Sequence, residues 1–320
     1  SSLLVAPASA GDENGGTLVG EQPVAGTPQV LDGEVLSVLQ VGGTVVLAGS
    51  FTRARDDDSD VEVARRGLLA FDAATGRIDP DFHPDPDGVV NAVAAGRSGT
   101  VYVGGEFSVI GGLPRAGVAR VTLAGGAVVP SFDPGRVDGP VRDLVLRRNK
   151  LWVAGAFSRI GGRKQRALAV LAAGSGRARS KPGLTVAGRA RHGLGRTAVS
   201  RIDVSPNGRY LALIGNFRSV QGERRVQLAL LDLRRAAAVS TFRTRFYSAT
   251  CSELYYSYVR DVAFAPDGSY FVVVTSGGPG GPRSPCDSVA RFETRGTDRA
   301  ARPSWISSTG GDTLQDRKST

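Results

Sequence analysis

The sequence predicts an all-β fold, a β-propeller with five recognisable four-stranded blades. Three observations carry this expectation. A Gly-x-Phe segment occurs four times, a second apolar run follows it at a similar offset, and no convincing amphipathic helix intervenes.

The four copies are Ala48-Gly49-Ser50-Phe51, Gly104-Gly105-Glu106-Phe107, Ala154-Gly155-Ala156-Phe157 and Ile214-Gly215-Asn216-Phe217. Each closes an apolar run, and a fifth run, Tyr270–Val274, ends in Ser276-Gly277-Gly278 without the Phe. The second strand recurs around Phe71, Val121, Leu171, Leu231 and Phe292, with steps of 50, 50, 60 and 61 residues. An aromatic stop follows at Phe82, Phe132, Phe242 and Trp305, and Asp-Gly turns at Asp87-Gly88 and Asp138-Gly139 lead into new strands. Each repeat thus reads as four short strands joined by Gly, Pro and Asp turns. A unit of this size cannot bury both of its faces alone, so neighbours must stack around an axis. The Gly before each Phe is expected to let backbone approach closely, where a side chain would hold blades apart. A β-sandwich is the rival architecture, but sandwiches do not usually repeat one motif five times.

The repeats resemble the delta-60 type, β-propeller domains of unknown function found in secreted actinobacterial proteins. The matching segments are Tyr102-Val103-Gly104-Gly105-Glu106-Phe107, the turns Ile110-Gly111-Gly112 and Ile160-Gly161-Gly162, and Pro130-Ser131-Phe132-Asp133-Pro134. The resemblance spans roughly residues 30–314. It implies the propeller fold and no particular activity.

The chain has 320 residues, 43 of them Gly, and no Met. An apolar share of 41% can supply a core and argues against wholesale disorder. Residues 1–10 read as the end of a secretory signal peptide: Leu3-Leu4-Val5, an Ala8-Ser9-Ala10 triplet, then a polar shift. Residues 11–30 read as a flexible segment, 31–314 as propeller repeats and 315–320 as a tail that abandons the pattern. Thr309–Leu314 resembles the start of a sixth blade. The expectation is a C-terminally truncated larger propeller, whose described part forms an open or strained ring. The chain is read as secreted or cell-surface associated, and no apolar run is long enough to span a membrane. Cys251 and Cys286 fall in loops of one repeat and are expected to form a disulfide.

In an up-and-down blade, the loop entering the first strand and the loop joining strands two and three share one face. The entering loops are near 83–89, 133–140, 172–198 and 243–258. The second set is 52–66, 108–116, 158–166, 218–227 and 276–288. The unusual chemistry falls in these sets, so it is expected to gather on one face, where binding usually lives.

Four clusters are candidates. Phe246, Tyr247, Tyr255, Tyr256 and Tyr258 could stack on sugar faces, or form a small core under a long loop. From Leu144 to Ile202 there are fourteen Lys or Arg and no Asp or Glu. Arg177, Arg179, Lys181, Arg189, Arg191 and Arg196 fall in one loop, as an anion-binding patch or a solvated surface. Asp56, Asp57, Asp58 and Asp60 could hold Ca²⁺ but lack the spacing of a calcium loop. Aligned repeats put Ser37, Asn91, Asp143, Arg201 and Asp261 at one inner-strand position near the channel, as catalytic groups or as bonds between blades.

Enzymatic motifs are scarce. His83 and His192 are the two histidines, and no G-x-S-x-G, H-E-x-x-H or P-loop occurs. No metal or cofactor is implied. A copper-radical oxidase would use a Cys–Tyr crosslink, but Cys251 has a disulfide partner in prospect. A glycosidase needs two carboxylates about 5–10 Å apart, which 30 acidic residues could supply. The expected function is a non-catalytic binding or scaffold module for a glycan, an anionic wall polymer or a protein. The alternatives are a propeller enzyme acting on extracellular carbohydrate and a spacer within a longer secreted protein. Formal net charge is +10, yet no nucleic-acid motif accompanies it, so nucleic acid is not an expected physiological partner.

Overall fold

The computed structural model describes residues 26–179, 184–190, 195–235, 238–248, 251, 257–277, 283–294 and 301–309. The proposed signal segment and the C-terminal tail lie outside these residues. The described chain is all-β, with two single-turn 3-10 segments at Leu233–Arg235 and Phe246–Ser248.

Five antiparallel sheets follow one another along the chain. Their first and second strands are Val35–Val41 with Thr44–Gly49, Val90–Ala95 with Thr100–Gly105, Val141–Arg147 with Lys150–Gly155, Arg201–Val204 with Tyr210–Ile214, and Val259–Phe264 with Tyr270–Thr275. The third strands are Leu68–Asp72, Val118–Thr122, Leu168–Ala172, Leu228–Asp232 and Ser288–Glu293. Sheets four and five gain a fourth strand, Ala238–Val239 and Trp305–Ser308. Sheets one to three have three strands, and the fourth shrinks to single bridges, Phe71 to Ile78, Val121 to Val128 and Leu171 to Ala178. The expectation of four full strands per blade is thus corrected for these three.

Alternating apolar residues give each sheet two buried faces, and the core lies between sheets. Leu39, Val46 and Leu68 of sheet one pack with Val93, Val101 and Phe107 of sheet two. Tyr102 and Val118 meet Leu151, Val153 and Phe157 across the next layer. Trp152 and Leu168 meet Leu211 and Phe217 in the third. Ile214 and Leu230 meet Phe271 and Phe292 in the fourth. First strands of successive sheets are neighbours throughout, and among the described residues the sheets do not close into a ring. Phe82, Phe132 and Phe242 are sealed in these layers, whereas Trp305 is 52% exposed, with no following sheet to enter among the described residues.

The Gly before each Phe answers a steric demand within its own sheet. A Cβ at Gly49 would lie 1.9 Å from the Glu34 carbonyl oxygen, and at Gly105, 2.1 Å from that of Val89. Gly155 and Gly215 face the carbonyls of Pro140 and Ala198 equally tightly, at 2.1 and 2.4 Å. The close approach is therefore to the chain entering the same sheet, not to a neighbouring blade as the sequence suggested. An aspartate secures the same corner in the first three sheets. Asp32 accepts from the amides of Thr52 and Arg53, Asp87 from Ser108 and Val109, and Asp138 from Ser158 and Arg159. The Thr52 hydroxyl and amide hold the Asp32 carboxyl down at about 2, and amides also lower Asp87.

Replacing Gly105 by Ala is expected to cost about 3 kcal/mol, the upper range for overpacking. Replacing Gly43, where an added Cβ meets nothing within 4 Å, is expected to change stability by under about 0.5 kcal/mol. Urea denaturation of the two variants beside the parent measures both.

Candidate functional site

The inner-strand residues fasten one sheet to the next. Ser37 accepts from the Val93 amide at 3.4 Å, and the Asn91 side chain donates to the Val141 carbonyl at 2.8 Å. Asp143 accepts from the Ile202 amide at 2.7 Å, and Asp203 from the Phe264 amide at 2.7 Å. Arg201 donates back to the Arg142 carbonyl at 3.0 Å. Asp261 accepts from the Val262 amide at 2.8 Å. Asn91 does not share the aligned position. The same β-bulge opens sheets one, two, three and five, and the residue after it is Ser37 facing Ala48, Ala92 facing Gly104, Asp143 facing Ala154 and Asp261 facing Val274. Asn91 occupies the extra residue of the bulge in sheet two. Sequence reading also missed Asp203. It lies two residues beyond Arg201, on the same side of the strand, and continues the fastening into sheet five.

Burial pushes the Asp143 carboxyl up from 3.8 to about 6, against the pull of Arg201 and of two amides, while Asp203 adds to the push. Between those values the folded chain holds a proton that the unfolded chain has released. Stability therefore falls as pH rises from about 4 to about 6, and levels off above. An Asp143→Asn variant is expected to lack this component. Parent stability should fall relative to the variant by about 3 kcal/mol across that window, as read by denaturation at stepped pH.

Cys251 and Cys286 form a disulfide with a Cα–Cα distance of 5.3 Å, as the loop placement suggested. Beneath it, Tyr247 and Tyr258 are buried at 0% and 3% exposure, packed with Phe246 and Phe292. Burial raises the pKa of both phenols. Gln227 braces them, donating to the Tyr247 carbonyl at 2.9 Å and accepting from the Tyr258 amide at 3.3 Å. This corrects the ligand-stacking expectation for Tyr247 and Tyr258, because neither ring has an open face. Tyr255 and Tyr256 lie outside the described residues. The disulfide closes a span of 35 residues, so a Cys251→Ser/Cys286→Ser double variant is expected to lose about 3–4 kcal/mol, measured by chemical denaturation.

The basic loop does not gather on one face. Arg177 and Arg179 flank Ala178, which bridges to Leu171 beside the hairpin turn of sheet three. Arg189 and Arg196 lie at the other end, near Asn216: the Arg196 carbonyl accepts from its side chain, and its oxygen takes the Ala190 amide. The described cations of the loop therefore lie at opposite ends of the sheet, which corrects the single-face expectation. Lys181 and Arg191 lie outside the described residues. On the hairpin side, a cleft of about 570 Å³ opens between sheets three and four. Arg147, Arg148, Lys150, Arg179 and Arg234 line it, over Trp152 and Leu233. None of these five cations joins an ion pair among the described residues.

The acidic run is occupied locally. Asp56 accepts from the Ile78 amide, Asp57 from Gln29, and Asp58 and Asp60 pair with Arg77 and Arg55. Among the described residues no three His, Cys, Asp or Glu side chains converge as a metal site, and no helix is long and apolar enough to cross a membrane.

Neither a family model nor a curated protein matches the chain. Among solved structures it is similar to the hydrazine synthase of Kuenenia stuttgartiensis, at TM-score 0.51 and 16% identity, over 88% of this chain and 70% of that one. The β-propeller domain of Cps50 (Swd1) from Myceliophteria thermophila matches at TM-score 0.49 and 10% identity, over 84% and 68% of the two chains. The computationally designed protein Ika4 matches at TM-score 0.38 and 11% identity, over 59% and 90%. At such identities the likeness concerns the fold alone.

Proposed function

We propose that the chain is an exported, non-catalytic binding or scaffold module of the delta-60 repeat type, whose partner is an anionic polymer such as a wall polymer or an acidic glycan. The observation that carries this reading is the run from Leu144 to Ile202, with fourteen cations and no acidic residue in the sequence, whose described members belong to adjoining sheets three and four and their loops. Exposed guanidinium groups attract polyanions and release their condensed counterions on contact. The disulfide supports export, since such bonds persist mainly in oxidising compartments.

The inner-strand carboxylates favour this over a carbohydrate hydrolase. Asp143 and Asp203 already accept backbone amides of the next sheet, and a group engaged in this way serves cohesion before chemistry. A spacer role, or a protein partner, is what remains if no polymer binds.

The test is binding of the whole chain to poly(glycerol phosphate) and to a neutral glucan of similar length, at stepped salt. Contacts with about five phosphates predict an affinity loss on the order of 100-fold between 50 and 200 mM salt. Equal, salt-independent binding to both polymers, or binding to neither, would overturn the reading.

A further inference from the structure

We infer that the cleft between sheets three and four is a seat for a tetrahedral oxyanion ester, a phosphate or sulfate group carried on an organic residue. It lies on the hairpin side, opposite the loops near Phe157 and Phe217. The inference rests on the polyanion reading above and names where and how such a partner is gripped.

The site is built before any ligand arrives. Its first wall is the hairpin Arg147–Lys150 of sheet three, where Arg147 pairs with Lys150 across the turn. The Arg97 guanidinium, from sheet two, donates to the Arg148 carbonyl at 3.2 Å and pins that turn from behind. The second wall is the turn Ser205–Arg209 of sheet four. There the Ser205 hydroxyl bonds Tyr210 and the Asn207 side-chain oxygen takes the Arg209 amide. The two turns meet at Gly208. An added methyl there would lie 2.2 Å from an Arg147 guanidinium nitrogen, so the guanidinium lies directly over the bare glycine. Gly208 also has a φ of +65°, which its turn requires.

The chemistry of the lining selects the ligand. Four guanidinium groups and one ammonium surround the opening, and no carboxylate lines it. A planar guanidinium matches two oxygens of a phosphate or sulfate at once. The Arg147 Nε is buried and has no hydrogen-bond acceptor, and an oxyanion in the cleft would supply one. Leu233, half-buried beside the opening, offers apolar surface that suits the organic part of an ester better than a bare ion. The cleft holds about 570 Å³, enough for one or two monomer units rather than a long chain.

The test uses the whole chain and calorimetric titration at low salt with three probes: inorganic phosphate, a short glycerol phosphate oligomer, and a sulfated disaccharide. The oligomer and the disaccharide separate a phosphate source from a sulfate source, and inorganic phosphate reports the anion alone. Three variants accompany the parent, the two charge pairs checked for an unchanged thermal transition and Gly208→Ala, strained by its positive φ, checked for a folded state at the titration temperature. Arg148→Glu/Arg179→Glu reverses two exposed charges at the cleft. Arg136→Glu/Arg224→Glu makes the same charge change on the opposite face. Gly208→Ala keeps every charge and displaces Arg147. The expected result is at least a tenfold loss of ester affinity for the cleft pair and for Gly208→Ala, and under threefold for the opposite pair. Equal losses for the two charge pairs, with Gly208→Ala unaffected, would overturn the seat and leave polyanion binding as a diffuse attraction. If the parent binds none of the probes, and no polymer either, the polyanion reading falls with it.

Discussion

Face-to-face stacking is the constraint on which everything else in this chain depends. A three-stranded sheet with apolar residues on both sides has no stable existence alone in water. Here Leu211 and Leu213 of sheet four turn toward Trp152 of sheet three, while Ala212 and Ile214 turn toward Phe271 of sheet five. Each sheet thus completes its neighbour, and the turn corners keep the stack in register. The bare Gly that closes the second strand in the first four sheets admits the incoming chain, and in the first three Asp32, Asp87 and Asp138 hold the following turn against it.

At the inner edge the fastening changes character along the chain while its purpose holds. Ser37 accepts, Asn91 donates, and Asp143 and Asp203 accept as carboxylates. This explains what was and was not legible beforehand. The strands, their order and the disulfide could be read because apolar alternation and Gly-x-Phe recur with nearly fixed spacing. The bulge that opens sheets one, two, three and five could not, because it adds a residue without changing composition, and the sequence alone does not show that Ala92, not Asn91, follows it in sheet two. Asp203 escaped because its role appears only once the neighbouring strand is laid beside it. Trimming of the outer strands in sheets one to three was likewise invisible, since a single bridge and a short strand need the same residues.

The candidate site shows the same division. Charge enrichment between Leu144 and Ile202 is plain in the sequence. Its geometry is not, because the described cations of that loop lie apart, Arg177 and Arg179 at one end of the sheet and Arg189 and Arg196 at the other. The cleft itself draws on Arg147 and Lys150 of one hairpin, on Arg234 of a separate turn, and on Gly208, whose importance comes from what lies above it. The buried tyrosines teach the converse. Tyr247 and Tyr258 look like ligand platforms by type, yet they serve as packing beneath the Cys251–Cys286 bridge.

Because every apolar layer joins only two adjacent sheets, information about strain travels no farther than one neighbour at a time. Loosening at sheet one reaches sheet three only by first loosening sheet two. Such an assembly gives way progressively under load, as a zip does, and does not fail all at once. A tethered chain pulled at its ends would yield a ladder of small ruptures, one per layer, with the last rung stiffened by the covalent bridge. That stepwise yielding is a mechanical character set by the order of the layers and owed to no single residue.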